Sequence, residues 1–172
     1  MSRVYLSLGS NIHRYRHISA ALDALNDTFG ALDISTVYES EAVGFAGSHF
    51  LNLVVGINTR LGVGQLWAVL KQIEDNNGRD RSGPKFSPRT LDIDILTFGD
   101  FCGEVDGVDL PRDEITKNAF VLQPLAELAA TEVHPVQQKT YRQLWQEYDT
   151  SKQKLWPVSF EWRGREVSVV GG

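Results

Sequence analysis

Only one cysteine, Cys102, occurs in the 172 residues. An intramolecular disulfide framework is excluded, a reducing compartment is expected, and the thiol lacks a cationic neighbourhood that would activate it. No apolar run approaches the ~18 to 20 residues that a membrane helix needs. The first residues, Met1-Ser2-Arg3-Val4-Tyr5-Leu6, pass directly into a strand pattern, so no signal peptide is expected and the expected location is cytoplasmic. Basic charge is in deficit: 17 Lys+Arg against 22 Asp+Glu leave −5, which argues against a surface built for nucleic-acid backbones. The glycine-rich nucleotide loops are missing too. There is no G-x-x-x-x-G-K-[ST], no G-x-G-x-x-G after a strand and no kinase H-R-D set. His13, His17, His49 and His134 are scattered without acid or thiol partners at ligand spacing, so they read as surface or structural residues.

What is present is an ordinary globular chain, 42% hydrophobic and 23% charged, long enough for one core. Residues 1–172 are expected to form a single domain, and no oligomer is expected. Val4, Leu6 and Leu8 alternate as a strand, and Gly9-Ser10-Asn11 should break it, with Ser10 or Asn11 as a helix cap. Ile18, Ala21, Leu22, Leu25 and Phe29 recur at helical spacing up to Gly30. Residues 32–38 and 50–59 read as two further strands, flanking a loop with Gly44 and Gly47. Val63, Leu66, Trp67, Leu70 and Ile73 mark a second helix, closed by Asn77-Gly78. Residues 91–98 read as a fourth strand. The order β-α-β-β-α-β predicts an α+β fold: a ferredoxin-like antiparallel sheet with two helices on one face. Beyond it come a short helix around Pro124, a helix capped by Thr140, and a terminal hairpin turning at Arg163-Gly164.

Asp92 and Asp94 stand two apart on the fourth strand, so their carboxylates leave one face while Ile93 and Ile95 enter the core. Alone, this is the polar side of an amphipathic strand. The preceding stretch changes the reading. Arg79, Arg81, Lys85 and Arg89, with Asp80 as the one acid, give residues 79–89 a charge of +3 in an acidic protein. Two carboxylates suit Mg²⁺, and neighbouring cations suit a polyphosphate.

Phe86-Ser87-Pro88-Arg89-Thr90-Leu91-Asp92-Ile93-Asp94-Ile95-Leu96 resembles the signature of the 6-hydroxymethyl-7,8-dihydropterin pyrophosphokinase family. Tyr5 to Asn11, Phe50-Leu51-Asn52, Ile73-Glu74 with Gly78-Arg79, and Ala119-Phe120-Val121-Leu122 extend the resemblance over residues 2–148, leaving 155–172 as an extension. The resemblance implies transfer of the terminal diphosphate of ATP to the hydroxymethyl group of the dihydropterin, with release of AMP, in folate biosynthesis. It implies that Asp92 and Asp94 hold two Mg²⁺ ions and, with Arg79 and Arg89, carry the catalysis. Glu74, Arg79, Arg81, Lys85, Arg89, Ile95 and Arg112 would bind ATP. Ser40, Val43, Phe50, Asn52, Phe86 and Phe120 would bind the pterin, the two phenylalanines Phe50 and Phe120 sandwiching its ring.

The chain departs from the family pattern at Gly107 and Asn118, where cations are usual, at Asp109, where a threonine is, at Arg112, where a histidine is, and at Glu41 and Ala42, where prolines are common. Two alternatives follow: a paralogue that binds a pterin with altered nucleotide chemistry, or a ferredoxin-like module for a small effector. An RNA-binding variant of the fold would need an RNP1-like third strand, which Phe50-Leu51-Asn52-Leu53-Val54-Val55 does not supply.

Overall fold

A computed structural model describes residues 1–41, 49–78 and 91–169. β1 (Ser2–Ser10) leads to α1 (Arg14–Phe29), then β2 (Asp33–Ile34), β3 (Tyr38–Ser40), β4 (Phe50–Thr59), α2 (Val63–Asn76) and β5 (Asp92–Phe98). A hairpin of β6 (Gly103–Val105) and β7 (Val108–Leu110) follows. Three helices come next: α3 (Glu114–Lys117), α4 (Ala119–Leu128) and α5 (Tyr141–Glu147). The chain ends in β8 (Leu155–Pro157), β9 (Phe160–Trp162) and β10 (Arg165–Ser168).

The main sheet runs β5-β1-β4-β3-β8, with β2 also paired to β4. All its pairings are antiparallel. Its first four places are the ferredoxin-like order that the element sequence predicts. Side-chain alternation divides the protein into two layers of packing. Val4, Leu6, Leu8, Leu51, Leu53, Val55, Ile57, Ile93 and Ile95 face α1 and α2, whose Ile18, Leu22, Leu25, Leu66 and Leu70 are fully buried against them. Tyr5, Val54 and Leu96 leave the other face and meet Ile115, Val121, Leu122, Leu125 and Tyr141 of α3, α4 and α5. Glu127 of α4 ties that layer down by accepting from the Thr36 N–H and hydroxyl, both at 2.8 Å, and from the Tyr38 hydroxyl at 3.1 Å.

Four local expectations are corrected. First, β1 does not break at Gly9: it stays paired through Ser10↔Leu51. Helix α1 is then entered through His13 in the left-handed region (φ 43) with no side-chain cap, and Ser10 Oγ donates instead to the Ile12 carbonyl. Second, the strand expected over residues 32–38 is split. The Ser35 hydroxyl accepts the Val54 N–H at 2.9 Å, taking a place a backbone carbonyl would fill, and the strand resumes only at Tyr38. Third, the β6–β7 hairpin was not expected, although Asp106-Gly107 carries its signal. Both residues have positive φ (52 and 81), as a two-residue turn matching strand twist requires. Fourth, residues 155–157 form a sheet strand beside β3 and not only a lead into the terminal hairpin. The Thr140 cap, with Gln143 answering it, and the β9–β10 hairpin lie where the sequence places them. Among the described residues, no helix is long and apolar enough to cross a membrane.

Candidate active site

β5 is the edge strand beyond β1, so its outward backbone groups need partners from elsewhere. Helix α2 supplies them. Glu74 is fully buried, and its carboxylate accepts the Ile93 N–H at 2.7 Å. Lys71 donates to the Ile93 carbonyl at 3.1 Å and to Glu74 at 3.0 Å. One ion pair on consecutive turns of α2 thus fixes the residue between Asp92 and Asp94. Asp92 and Asp94 are half-buried, while Leu91, Ile93 and Ile95 are buried, as the alternation predicts.

A cleft of about 430 Å³ opens along this edge. Lys71 and Trp67 of α2, Asp94 and Ile95 of β5, and Gly107, Asp109 and Arg112 all contribute to its walls. Burial first, and then the charge of Asp92, push the Asp94 carboxyl up to about 7, against the pull of Arg112 and Lys71. Two oxygen-donor carboxylates side by side on a half-open strand face suit a hard divalent cation. Among the described residues there is no group of three or more His, Cys, Asp or Glu that could hold a metal, so the pair would need oxygens from a substrate to complete a shell. Arg112 leans on Asp94 electrostatically and pairs with Glu114, and its buried Nε has no hydrogen-bond partner among the described residues. Such an orphaned donor is costly and suits an anionic ligand in the cleft.

The sequence places Trp67 on the apolar stripe of α2 and gives no role to Lys71, whereas both line the cleft. Trp67 is nearly half exposed for a tryptophan, and Lys71 Nζ lies 5.7 Å from its ring centre. The available signal was helical spacing: Trp67, Lys71 and Glu74 follow one another at four and three residues.

On the opposite side of β1 lies the second half of the site. The registers place Asp92 across from Gly9, and Gly9 across from Asn52. All three therefore share the face under α4. Neighbouring strands are ~4.8 Å apart, so Asp92 and Asn52 stand roughly 10 Å from each other across a residue with no side chain. A Cβ on Gly9 would lie 3.3 Å from Asn52 Oδ1 and 3.8 Å from the Phe50 ring, so the glycine keeps that floor open. The buried Asn52 amide donates to Ser40 Oγ at 2.7 Å, which orients its carbonyl end. Phe50 begins β4 and Phe120 lies in the first turn of α4, both half-buried.

Val43, Arg79, Arg81, Lys85, Phe86 and Arg89 lie outside the described residues. The described candidates divide into a carboxylate–cleft group (Asp92, Asp94, Ile95, Arg112) and an amide–aromatic group (Ser40, Phe50, Asn52, Phe120), on the two sides of Gly9; Glu74, expected among the ATP-binding residues, is instead fully buried behind β5 and held by Ile93 and Lys71, so it supports the strand. The departures at Gly107 and Asn118 have local reasons. Gly107 completes the β6–β7 turn, while Asp106 beside it accepts the Gly64 N–H at 3.1 Å and so docks the hairpin on α2. Asn118 is the N-cap residue of α4 and is bonded to Gln153.

Residues 5–130 match the family model described as 7,8-dihydro-6-hydroxymethylpterin-pyrophosphokinase. The 2-amino-4-hydroxy-6-hydroxymethyldihydropteridine pyrophosphokinase of Aquifex aeolicus is 35% identical over 83% of this chain and 90% of its own length. The Pseudomonas aeruginosa enzyme of the same name is 40% identical over 75% of this chain and 82% of its own. Among solved structures, wild-type Plasmodium falciparum HPPK-DHPS with pterin and p-hydroxybenzoate superposes with a TM-score of 0.69 at 18% identity, over 87% of this chain and 43% of that longer one. That likeness supports the fold. The family match and the two enzymes go further: the chain belongs to the 7,8-dihydro-6-hydroxymethylpterin-pyrophosphokinase family.

Proposed function

We propose that the protein transfers the terminal diphosphate of ATP to the hydroxymethyl group of 6-hydroxymethyl-7,8-dihydropterin, releasing AMP, as a step of folate biosynthesis. It is an ATP-dependent diphosphotransferase, and its relatives carry the pyrophosphokinase name. The observation that carries the reading is the row Asp92–Gly9–Asn52 on one sheet face. It sets a carboxylate pair beside a polar cleft on one side of a bare floor, and an amide with aromatic neighbours on the other. A small-effector module has no use for that pair, and membership of the family disfavours it.

Each side has its task. Asn52, pinned by Ser40, would read the amide-like edge of the pterin, while Phe50 and Phe120 would cover its ring faces, with Val43 and Phe86 completing the pocket. Arg112 would turn its unpaired donor to a phosphate, next to Lys71, and Trp67 would offer an aromatic face for a purine. Arg79, Arg81, Lys85 and Arg89 would add the cations that a triphosphate requires, with Arg79 and Arg89 acting on transition-state charge. Arg112 thus answers for the cations missing at Gly107 and Asn118. Asp92 and Asp94 would hold Mg²⁺, two ions in this reading, which when bound would supply positive charge against the triphosphate. The chain itself does little covalent work. It holds the hydroxymethyl oxygen in line with the β-phosphorus and AMP opposite, and positioning of that kind lowers a barrier by several kcal/mol, roughly 7 to 11 at most.

We read residues 1–172 as one domain, because Phe160 and Trp162 of the extension bury in the core that α1 shares with the sheet, and we read the protein as monomeric and cytoplasmic. Product analysis tests the function. Incubation with MgATP and the dihydropterin should give equimolar AMP and diphosphorylated pterin. ADP as the nucleotide product, or pterin binding without AMP, would refute diphosphate transfer.

A further inference from the structure

The family match ends at residue 130, yet the chain returns to the pterin side of the site well after it. Gln153 reaches the start of α4. Its carbonyl accepts the Ala119 N–H at 2.8 Å and its amide donates to Asn118 Oδ1 at 2.9 Å. Asn118 makes no capping bond of its own, so a side chain 34 residues away from Ala119 satisfies an N–H that a helix start leaves open. The next residue is Phe120.

Three residues later the same segment reaches β3. Trp156 is paired with Glu39 and Leu155 with Ser40. Trp156 Nε1 donates to Glu39 Oε2 at 2.7 Å, and its ring meets His49 edge-on with centroids 5.5 Å apart. Glu39 also pairs with Arg14, whose guanidinium donates to the His49 carbonyl at 3.1 Å. This cluster holds the residue before Ser40 and the residue before Phe50 together.

The segment is itself tethered at both ends. Tyr148 donates to the Lys117 carbonyl at 2.8 Å, and Val158 donates its N–H to the Val37 carbonyl at 3.0 Å. Beyond it, Trp162 is buried and bonded to Asp23 of α1 at 3.0 Å. Three residues span at most ~10 Å. A short strap of this kind joins the element carrying Phe120 to the strand carrying Ser40 and keeps the two from moving apart.

We propose that Gln153 and Trp156 are positioning residues for the pterin pocket, fixing the α4 terminus that bears Phe120 against the β3–β4 pair that bears Ser40 and Phe50. The inference rests on the pocket assignment above. It adds to the pocket a segment outside the family match, whose bonds described above all go to the pterin side.

The test compares the two substrates. Gln153→Ala should raise the KM, and the nucleotide-free Kd, for the dihydropterin about fivefold or more while the KM for ATP stays within about twofold, a loss of roughly 1 kcal/mol confined to one substrate. Trp156→Phe keeps an aromatic ring and loses the bond to Glu39; it should show the same one-sided pattern. Gln153→Glu keeps the acceptor for Ala119 and should recover part of the loss. Pterin constants within about twofold of wild type in both Gln153→Ala and Trp156→Phe, or constants for both substrates rising together with a fall in melting temperature, would overturn the inference. If Gln153→Ala does not fold, Gln153→Glu and Trp156→Phe decide by the same criterion. A wild-type chain that binds pterin but releases no AMP refutes diphosphate transfer alone, and the Kd comparison still decides this role. A wild-type chain that binds no pterin overturns both.

Discussion

Replacing Glu74 by alanine should destabilise the fold more than any other single change on the polar side of α2. The carboxylate is 1% exposed, its Lys71 partner is 19% exposed, and it also receives the Ile93 N–H at 2.7 Å. Breaking one partner of such a buried pair costs about 3 to 5 kcal/mol, of which an unsatisfied backbone N–H accounts for roughly 1 to 3. Glu74→Gln keeps an acceptor for Ile93 and loses the charge, so its cost should be smaller, about 1 to 2 kcal/mol. Urea unfolding measures both. A Glu74→Ala midpoint corresponding to less than about 1 kcal/mol would refute the claim that this side chain holds β5, because a buried and doubly bonded carboxylate cannot be removed so cheaply. The two variants also separate stability from function. Glu74→Gln should retain turnover, since the register of Asp92 and Asp94 on β5 survives.

Asp94→Asn should abolish turnover and, in magnesium-free buffer at pH 8, stabilise the fold. Burial and Asp92 raise the Asp94 carboxyl to about 7, so folding favours its protonated form. The resulting penalty is absent near the ordinary carboxylate value, grows as pH rises, and is complete above about pH 7; at ~1.4 kcal/mol per tenfold change in proton affinity, discounted for partial exposure, it comes to roughly 1 to 3 kcal/mol. Thermal melts at pH 8 with EDTA should therefore rank the variant above wild type, and added Mg²⁺ with nucleotide should stabilise wild type alone; equal responses to Mg²⁺ would count against the carboxylate site. Gly9→Val should preserve the strand, whose pairing continues on both sides, and weaken pterin binding about tenfold or more by filling the floor between Asn52 and Asp92. An unchanged pterin Kd would contradict the slot.

Periodicity carries most of the central fold. Phe50–Thr59 and Val63–Asn76 begin and end where alternation, helical spacing and Asn77-Gly78 indicate. The placement of Asp92 and Asp94 opposite Ile93 and Ile95 follows from the same period of two. What sequence spacing does not contain is register. That Gly9 lies between Asp92 and Asn52 depends on long-range pairing across three strands, and local preference is silent about it. The β2–β3 break depends on one hydroxyl, Ser35, replacing a ladder acceptor, which a β-favouring run cannot announce. Asp106-Gly107 was readable as a turn, but its flanking strands are three residues each and barely alternate. The roles of Gln153 and Trp156 were hidden for a different reason. Each acts on a partner more than thirty residues away, Gln153 on Asn118 at a separation of 35 and Trp156 on Glu39 at 117.

The two halves of one sheet face meet over Gly9. A crystal structure with Mg²⁺, a non-hydrolysable ATP analogue and 6-hydroxymethyl-7,8-dihydropterin measures this directly. It should show divalent ions bound by Asp92 and Asp94, the analogue's phosphates beside Arg112, and the pterin edge on Asn52 with its hydroxymethyl group directed over Gly9 toward the β-phosphorus. Ions bound elsewhere, or a pterin seated away from Asn52, would contradict it.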